Sequence, residues 1–151
     1  HNFFIQKFAT LHIIFGFMIK DIEFPKIENV AVAVVNENIG LPDEEWNVYL
    51  INQNISPLTG VLVNSKGYGE LKNEPKKTSN MRHFFEEVKP LSFVKVEMLP
   101  NELFELTNEF WVSFYLDGKL YDKKYIFLAN TINNQNTINL PILNKPGVFH
   151  P

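Results

Sequence analysis

The sequence predicts an all-β protein: an antiparallel β-sandwich of immunoglobulin-like type with at most one short helix. Three observations predict it. From residue 22 onward the hydrophobic period is mostly two, the period of a strand. The alternating runs are short and are separated by Pro, Gly, Asn and Asp, the punctuation of an antiparallel all-β domain. Two of the runs flank Asp117-Gly118, a strong two-residue hairpin signal, because both turn residues must take positive φ. A small barrel is the alternative architecture.

The elements follow in order. V-A-V-A-V-V, residues 30–35, is apolar at both parities and reads as a strand buried on both faces. E-W-N-V-Y-L-I-N sets Trp46, Val48 and Leu50 on one face and Asn47, Tyr49 and Ile51 on the other. Pro57 breaks the chain before a returning strand at Val61–Asn64, and S-K-G-Y-G-E, residues 65–70, reads as the turn or bulge that ends it. Ser79 to Val88 is the one candidate helix beyond Met18, with Ser79 as its N-cap. Leu91 to Leu99 alternates again and is closed by Pro100.

In the hairpin, the two-residue turn pairs Leu116 with Lys119, Phe114 with Tyr121, Val112 with Lys123 and Phe110 with Tyr125. Phe110, Val112, Phe114, Leu116, Tyr121, Tyr125 and Phe127 then line the core. Trp111, Ser113, Tyr115, Leu120, Asp122, Lys124 and Ile126 take the opposite face. The Asn- and Pro-rich tail from Thr131 is expected to be largely irregular, with one edge strand near Ile138 to Leu143.

A chain of 151 residues, 45% of them hydrophobic, suits one domain, which we place at residues 18–151. Residues 1–17 precede the first methionine, Met18, where the text turns from an apolar run to charged alternation. They read as a leader or upstream-translated segment. Phe4, Phe8, Leu11, Phe15 and Met18 also fall on one helical face, so a packed helix is the second reading. A secretory signal lacks a basic start and a small-residue cleavage site. A membrane span is interrupted by Gln6, Lys7 and His12. A start at Met18 implies a cytoplasmic protein with no membrane partner; native residues 1–17 would reopen that question.

Composition excludes several chemistries. Without cysteine there is no disulfide, thiol nucleophile or cysteine-bound metal. The four histidines are scattered and form no H-x-x-x-H, so no metal or other cofactor is expected. Ser65, Thr78 and Ser79 are the internal hydroxyl candidates for a nucleophile. Only Ser79 and His83 share a helical spacing, the basis of a small-hydrolase alternative, and no G-x-S-x-G elbow is present. S-K-G-Y-G-E lacks the third glycine of a dinucleotide fingerprint and the G-K-S/T of a P-loop.

Two candidate contact surfaces remain. The first is the basic segment of Lys76, Lys77, Arg82 and His83, with Tyr68 nearby; Arg82 is the single arginine of the chain. Acidic neighbours and a net charge of −3 dilute it as a nucleic-acid site. The second is the outer hairpin face, with Trp111, Tyr115 and Lys124, where the register sets Lys124 across from Trp111 as a cation–π pair. If uncovered, that face is a patch for a protein partner or for self-association. The resulting expectation is a non-enzymatic protein that acts by binding or assembly, with no catalytic residues.

E-W-N-V-Y-L-I-N, S-K-G-Y-G, K-K-T-S-N-M-R-H and D-G-K-L-Y together resemble a small uncharacterised bacterial family. The resemblance spans nearly all of residues 18–151 and none of 1–17. Several of its members carry the label phenylalanyl-tRNA synthetase alpha subunit, so the resemblance implies an RNA- or tRNA-associated accessory role as the alternative. Aminoacylation itself is excluded on the residues. A class II synthetase core clamps ATP with two arginines, one of them in R-x-E. This chain has Arg82 alone, followed by H-F-F-E.

Overall fold

The computed structural model describes residues 27–151. The expectations for residues 1–17, and the alternation between Met18 and Lys26, lie outside the described residues. Among the described residues ten strands form two antiparallel sheets: β1 (Val30–Glu37), β2 (Glu45–Asn52), β3 (Leu58–Leu71), β4 (Glu74–Lys77), β5 (Met81–Val88), β6 (Ser92–Met98), β7 (Thr107–Leu116), β8 (Lys119–Phe127), β9 (Ile138–Asn139) and β10 (Pro146–His150). Sheet A has the order β6-β2-β1-β10-β9. Sheet B has the order β4-β3-β7-β8, with β5 also paired to β3.

The chain is thus the expected all-β sandwich. In sheet A β1, β2 and β6 lie side by side, and in sheet B β8, β7, β3 and β5 do the same. Between the sheets lies the main core, in which Val32, Val34, Val48 and Leu50 of sheet A meet Val61, Val63, Phe110, Val112, Phe114 and Tyr125 of sheet B. Tyr125 is fully buried, and its hydroxyl donates to the Val30 carbonyl at 2.7 Å, which ties β8 to the start of β1.

The hairpin forms in the expected register, with Asp117 and Gly118 at φ 50° and 79°. Its inward residues are those read from the alternation; Leu116 and Tyr121 pack at the margin of the core. β1 is buried on both faces as expected, but the structure also shows what covers its far side. Leu140 and Leu143, from the turn between β9 and β10, pack on Ala31, Ala33, Val35, Tyr49 and Ile51 as a second apolar layer.

Three expectations are corrected. Ser79–Val88 is not a helix: residues 81–88 form β5, because His83 and Phe85 alternate with Arg82 and Phe84, and pairing along β3 decides the conformation. Residues 65–70 are not a turn. β3 runs through them to Leu71, and the reversal comes at Lys72-Asn73, both with positive φ. Gly67 pairs with Asn108 within the strand, where a Cβ would press on the Asn108 Oδ1 and Thr78 Cγ2 atoms at 3.2 and 3.3 Å. Finally, the tail is mostly irregular and has its edge strand, β9, where expected, but it also holds a strand that was not expected: β10 pairs with β1 inside sheet A.

This covering turn is held by charge as well as by packing. Glu37 Oε2 accepts from Lys145 Nζ at 2.6 Å, and its Oε1 accepts from the Tyr49 hydroxyl at 2.7 Å and from Asn47 Nδ2 at 2.8 Å. Burial alone would raise the Glu37 pKa; these hydrogen bonds and the Lys145 charge outweigh it and hold the pKa below 4.5. A depressed folded-state pKa means that the unfolded chain takes up the proton first. The Glu37 contribution is therefore present above about pH 4.5 and lost as pH falls through the lower folded value. Glu37→Gln should flatten the acid limb of urea-unfolding stability below that pH; an unchanged limb contradicts the assignment.

Gly147 gives a second check. A Cβ on it would lie 2.6 Å from Leu140 Cδ1 and 2.9 Å from the Val34 carbonyl oxygen. Gly147→Ala should cost about 1–3 kcal/mol of unfolding free energy, because the backbone oxygen cannot swing away as a side chain can.

Candidate contact surface

Sheet A is covered on its far side by the β9–β10 turn. Among the described residues nothing covers the far side of sheet B. The pairing registers of β5, β3, β7 and β8 arrange that face in rows. One row reads Arg82, Asn64, Trp111, Lys124, and the next reads Phe84, Leu62, Ser113, Asp122. The strands are about 4.8 Å apart, so Arg82 and Trp111 have backbones roughly 10 Å apart across one intervening strand. The exposed apolar side chains are large: Phe84 is 64% exposed, Tyr115 47%, Trp111 44% and Leu62 40%. A shallow groove of about 310 Å³ runs between Leu62, Asn64, Arg82, Trp111, Ser113 and Asp122.

The two surfaces read separately from the sequence thus meet on one face. Arg82 comes from the basic segment, and Trp111, Tyr115 and Lys124 come from the hairpin. Lys124 Nζ lies 4.8 Å from the Trp111 ring centroid, the expected cation–π pair.

Tyr68 and Lys77 continue this face at one end, since they are paired across β3 and β4. They border a second depression with Lys66 and Glu109. Burial, with the hydrogen bond to Glu109 and its charge, raises the Tyr68 pKa, so its hydroxyl stays protonated and donates to Glu109 Oε1 at 3.2 Å. Glu109 also holds Lys66 at 3.8 Å. Lys76, paired with Gly69, points to the other side of β4.

His83 lies apart from the contact face. β5 turns it inward, where its Nε2 is 2.7 Å from Glu97 Oε1. The same carboxylate oxygen accepts from Ser65 Oγ at 2.8 Å. A β-bulge makes this contact: Val48 pairs with Glu97 and Tyr49 with Lys95, so Val96 is the extra residue and Glu97 is aimed across the sandwich edge. A hydroxyl, an imidazole and a carboxylate therefore meet, but the carboxylate sits between the other two. Nucleophilic catalysis needs the imidazole on the hydroxyl. Ser65 is also 5% exposed, out of reach of a substrate. Ser79 precedes the extended β5, four residues from His83, and lacks the helical turn that would join them.

Glu97, Leu62 and Asn64 were not singled out from the sequence, whereas Asp122 was placed on the outer hairpin face. Phe84 and Leu62 were within reach of alternation, once R-H-F-F and V-L-V-N are both read as strands. Glu97 was not, because a bulge carries no clear signal in V-K-V-E-M.

Among the described residues no three His, Asp or Glu side chains gather as metal ligands, and no helix is long and apolar enough to cross a membrane. Compared with models of known protein families and with curated proteins, the chain matches none.

The different roles of His83's partner and of Arg82 can be measured. Glu97→Ala leaves the buried Ser65 and the half-buried His83 without their acceptor and should lower stability in urea by about 1–3 kcal/mol. Arg82→Ala, on the open face, should change it by less than about 0.5 kcal/mol. Equal effects would contradict the division between a structural hub and a contact face.

Proposed function

We propose that this protein is a non-enzymatic β-sandwich module that acts by binding or assembly through the outer face of sheet B. One observation carries the reading: Trp111, Tyr115, Phe84 and Leu62 are exposed together on a regular sheet face, with Arg82 and Lys124 at its flanks. Aromatic side chains and arginine are the residues enriched where protein partners are gripped. Large apolar side chains gathered on one surface are uncommon where nothing docks. The hydroxyl, imidazole and carboxylate groups that do meet are spent on joining the sheets.

A second reading takes the same face as a platform for single-stranded RNA. Trp111 and Tyr115 would stack bases while Arg82, Lys124 and Lys66 meet phosphates. The resemblance to the family labelled as a tRNA synthetase subunit agrees with it. Asp122 and Glu109 on the face, and the overall charge of −3, favour the protein reading.

Affinity capture from native cells with the wild type and Trp111→Ser, side by side, tests the function. The reading expects a protein captured by the wild type and lost with Trp111→Ser at unchanged thermal stability. Identical capture by both overturns it. A tRNA-bound fraction that falls steeply with salt and vanishes with Arg82→Ala replaces it with the RNA reading.

A further inference from the structure

We infer that the occupant of the open sheet-B face is a second copy of this chain, packed face to face about a two-fold axis. The axis runs across the strands, between Asp122 and Lys124. This rests on reading that face as a contact surface and names its partner.

β8 carries the first part of the argument. Its outward side chains are Leu120, Asp122, Lys124 and Ile126, all exposed. Reversed end for end and laid on itself, this series sets leucine against isoleucine and aspartate against lysine, each pairing occurring twice. An isologous interface requires such a surface, because if residue i meets residue j, then j must meet i.

The neighbouring strands obey the same operation. The axis lies between the row that ends in Lys124 and the row that ends in Asp122, so each row faces the other row of the partner. Lys124 then meets the partner's Asp122. Trp111 brings its indole N–H, a donor without acceptor capacity, to the partner's Ser113 hydroxyl. Arg82 meets the ring of the partner's Phe84, a cation–π contact.

Charge also rejects the other simple packing. A two-fold axis along the strands would lay β5 on the partner's β8 and set Arg82 against the partner's Lys124, twice. Like charges so placed cost several kcal/mol. Four strands about 4.8 Å apart, each presenting about four outward residues, give a footprint of roughly 500–700 Å² per copy. The total, roughly 1,000–1,400 Å², falls at the lower end of specific interfaces, so the dimer is a reversible one.

Sedimentation equilibrium of the full chain over about 1 µM to 1 mM tests this, a range that brackets affinities expected at that size. The wild type should pass from monomer to dimer. D122K presents only cations at both positions and K124D only anions, so each alone should dimerise at least about tenfold more weakly. Mixed in equal amounts, the two should form a heterodimer within about threefold of wild-type affinity, because opposite charges again face each other. Both sites are exposed, and thermal melts confirm that each variant is folded. A wild type that stays monomeric overturns the inference, as does a mixture that associates no better than its components. A monomeric wild type that still takes up another protein through Trp111 overturns the second copy while leaving the contact reading standing. A monomer that also captures nothing overturns both.

Discussion

The structure depends on the burial of β1 on both of its faces. Val30, Val32 and Val34 fill the space between the sheets, while Ala31, Ala33 and Val35 face away from it and would meet water if nothing lay over them. An apolar strand of this kind forces the chain to supply a second layer. It does so with Leu140 and Leu143, delivered by β10, which pairs directly with β1. The small side chains of Ala31 and Ala33 leave room for that layer, and Gly147 lets β10 lie close to both Leu140 and the Val34 carbonyl. Glu37 and Lys145 then fasten the turn to the sheet.

The two sheets therefore end up different on their outer faces. Sheet A spends the C-terminal segment on its own far side. Sheet B keeps large apolar side chains on a face that no described segment overlies. The sandwich edge between β5 and β6 is closed by Glu97, Ser65 and His83, which hold the two sheets together there. What is left for outside contacts is a flat surface of aromatic, aliphatic and charged side chains. Such a surface grips by area and charge pattern rather than by enclosing a substrate.

Much of this was legible in the sequence where local signals were strong. Asp117-Gly118 set the hairpin register, and the register placed the side chains from Phe110 to Leu116 and most of those of β8, including the Trp111–Lys124 pair. The double parity of V-A-V-A-V-V announced a strand covered twice. The errors arose where tertiary pairing overrode local appearance. Ser79–Val88 has a capping serine and good helix formers at its end, yet β3 offered it an edge. G-Y-G looked like a reversal, whereas the glycines fit a tightly packed strand and the turn was made by Lys72-Asn73. The tail looked irregular because Asn and Pro fill it, and the apolar pair Val148-Phe149 is too short to show the period of β10. That Arg82 and Trp111 share a face depended on β5 being a strand, and so could not be read while it was taken for a helix.

Nuclear magnetic resonance of the full chain in dilute and concentrated solution, with each amide and methyl signal followed, tests the central claim most directly. The account predicts that the outward residues of β3, β5, β7 and β8, with the Trp111 indole N–H and the methyls of Leu62, Leu120 and Ile126 foremost, shift together as concentration rises. Residues under the β9–β10 turn should stay unmoved. Shifts confined to the outer side of sheet A or to a strand edge, or no shift at all, would contradict it.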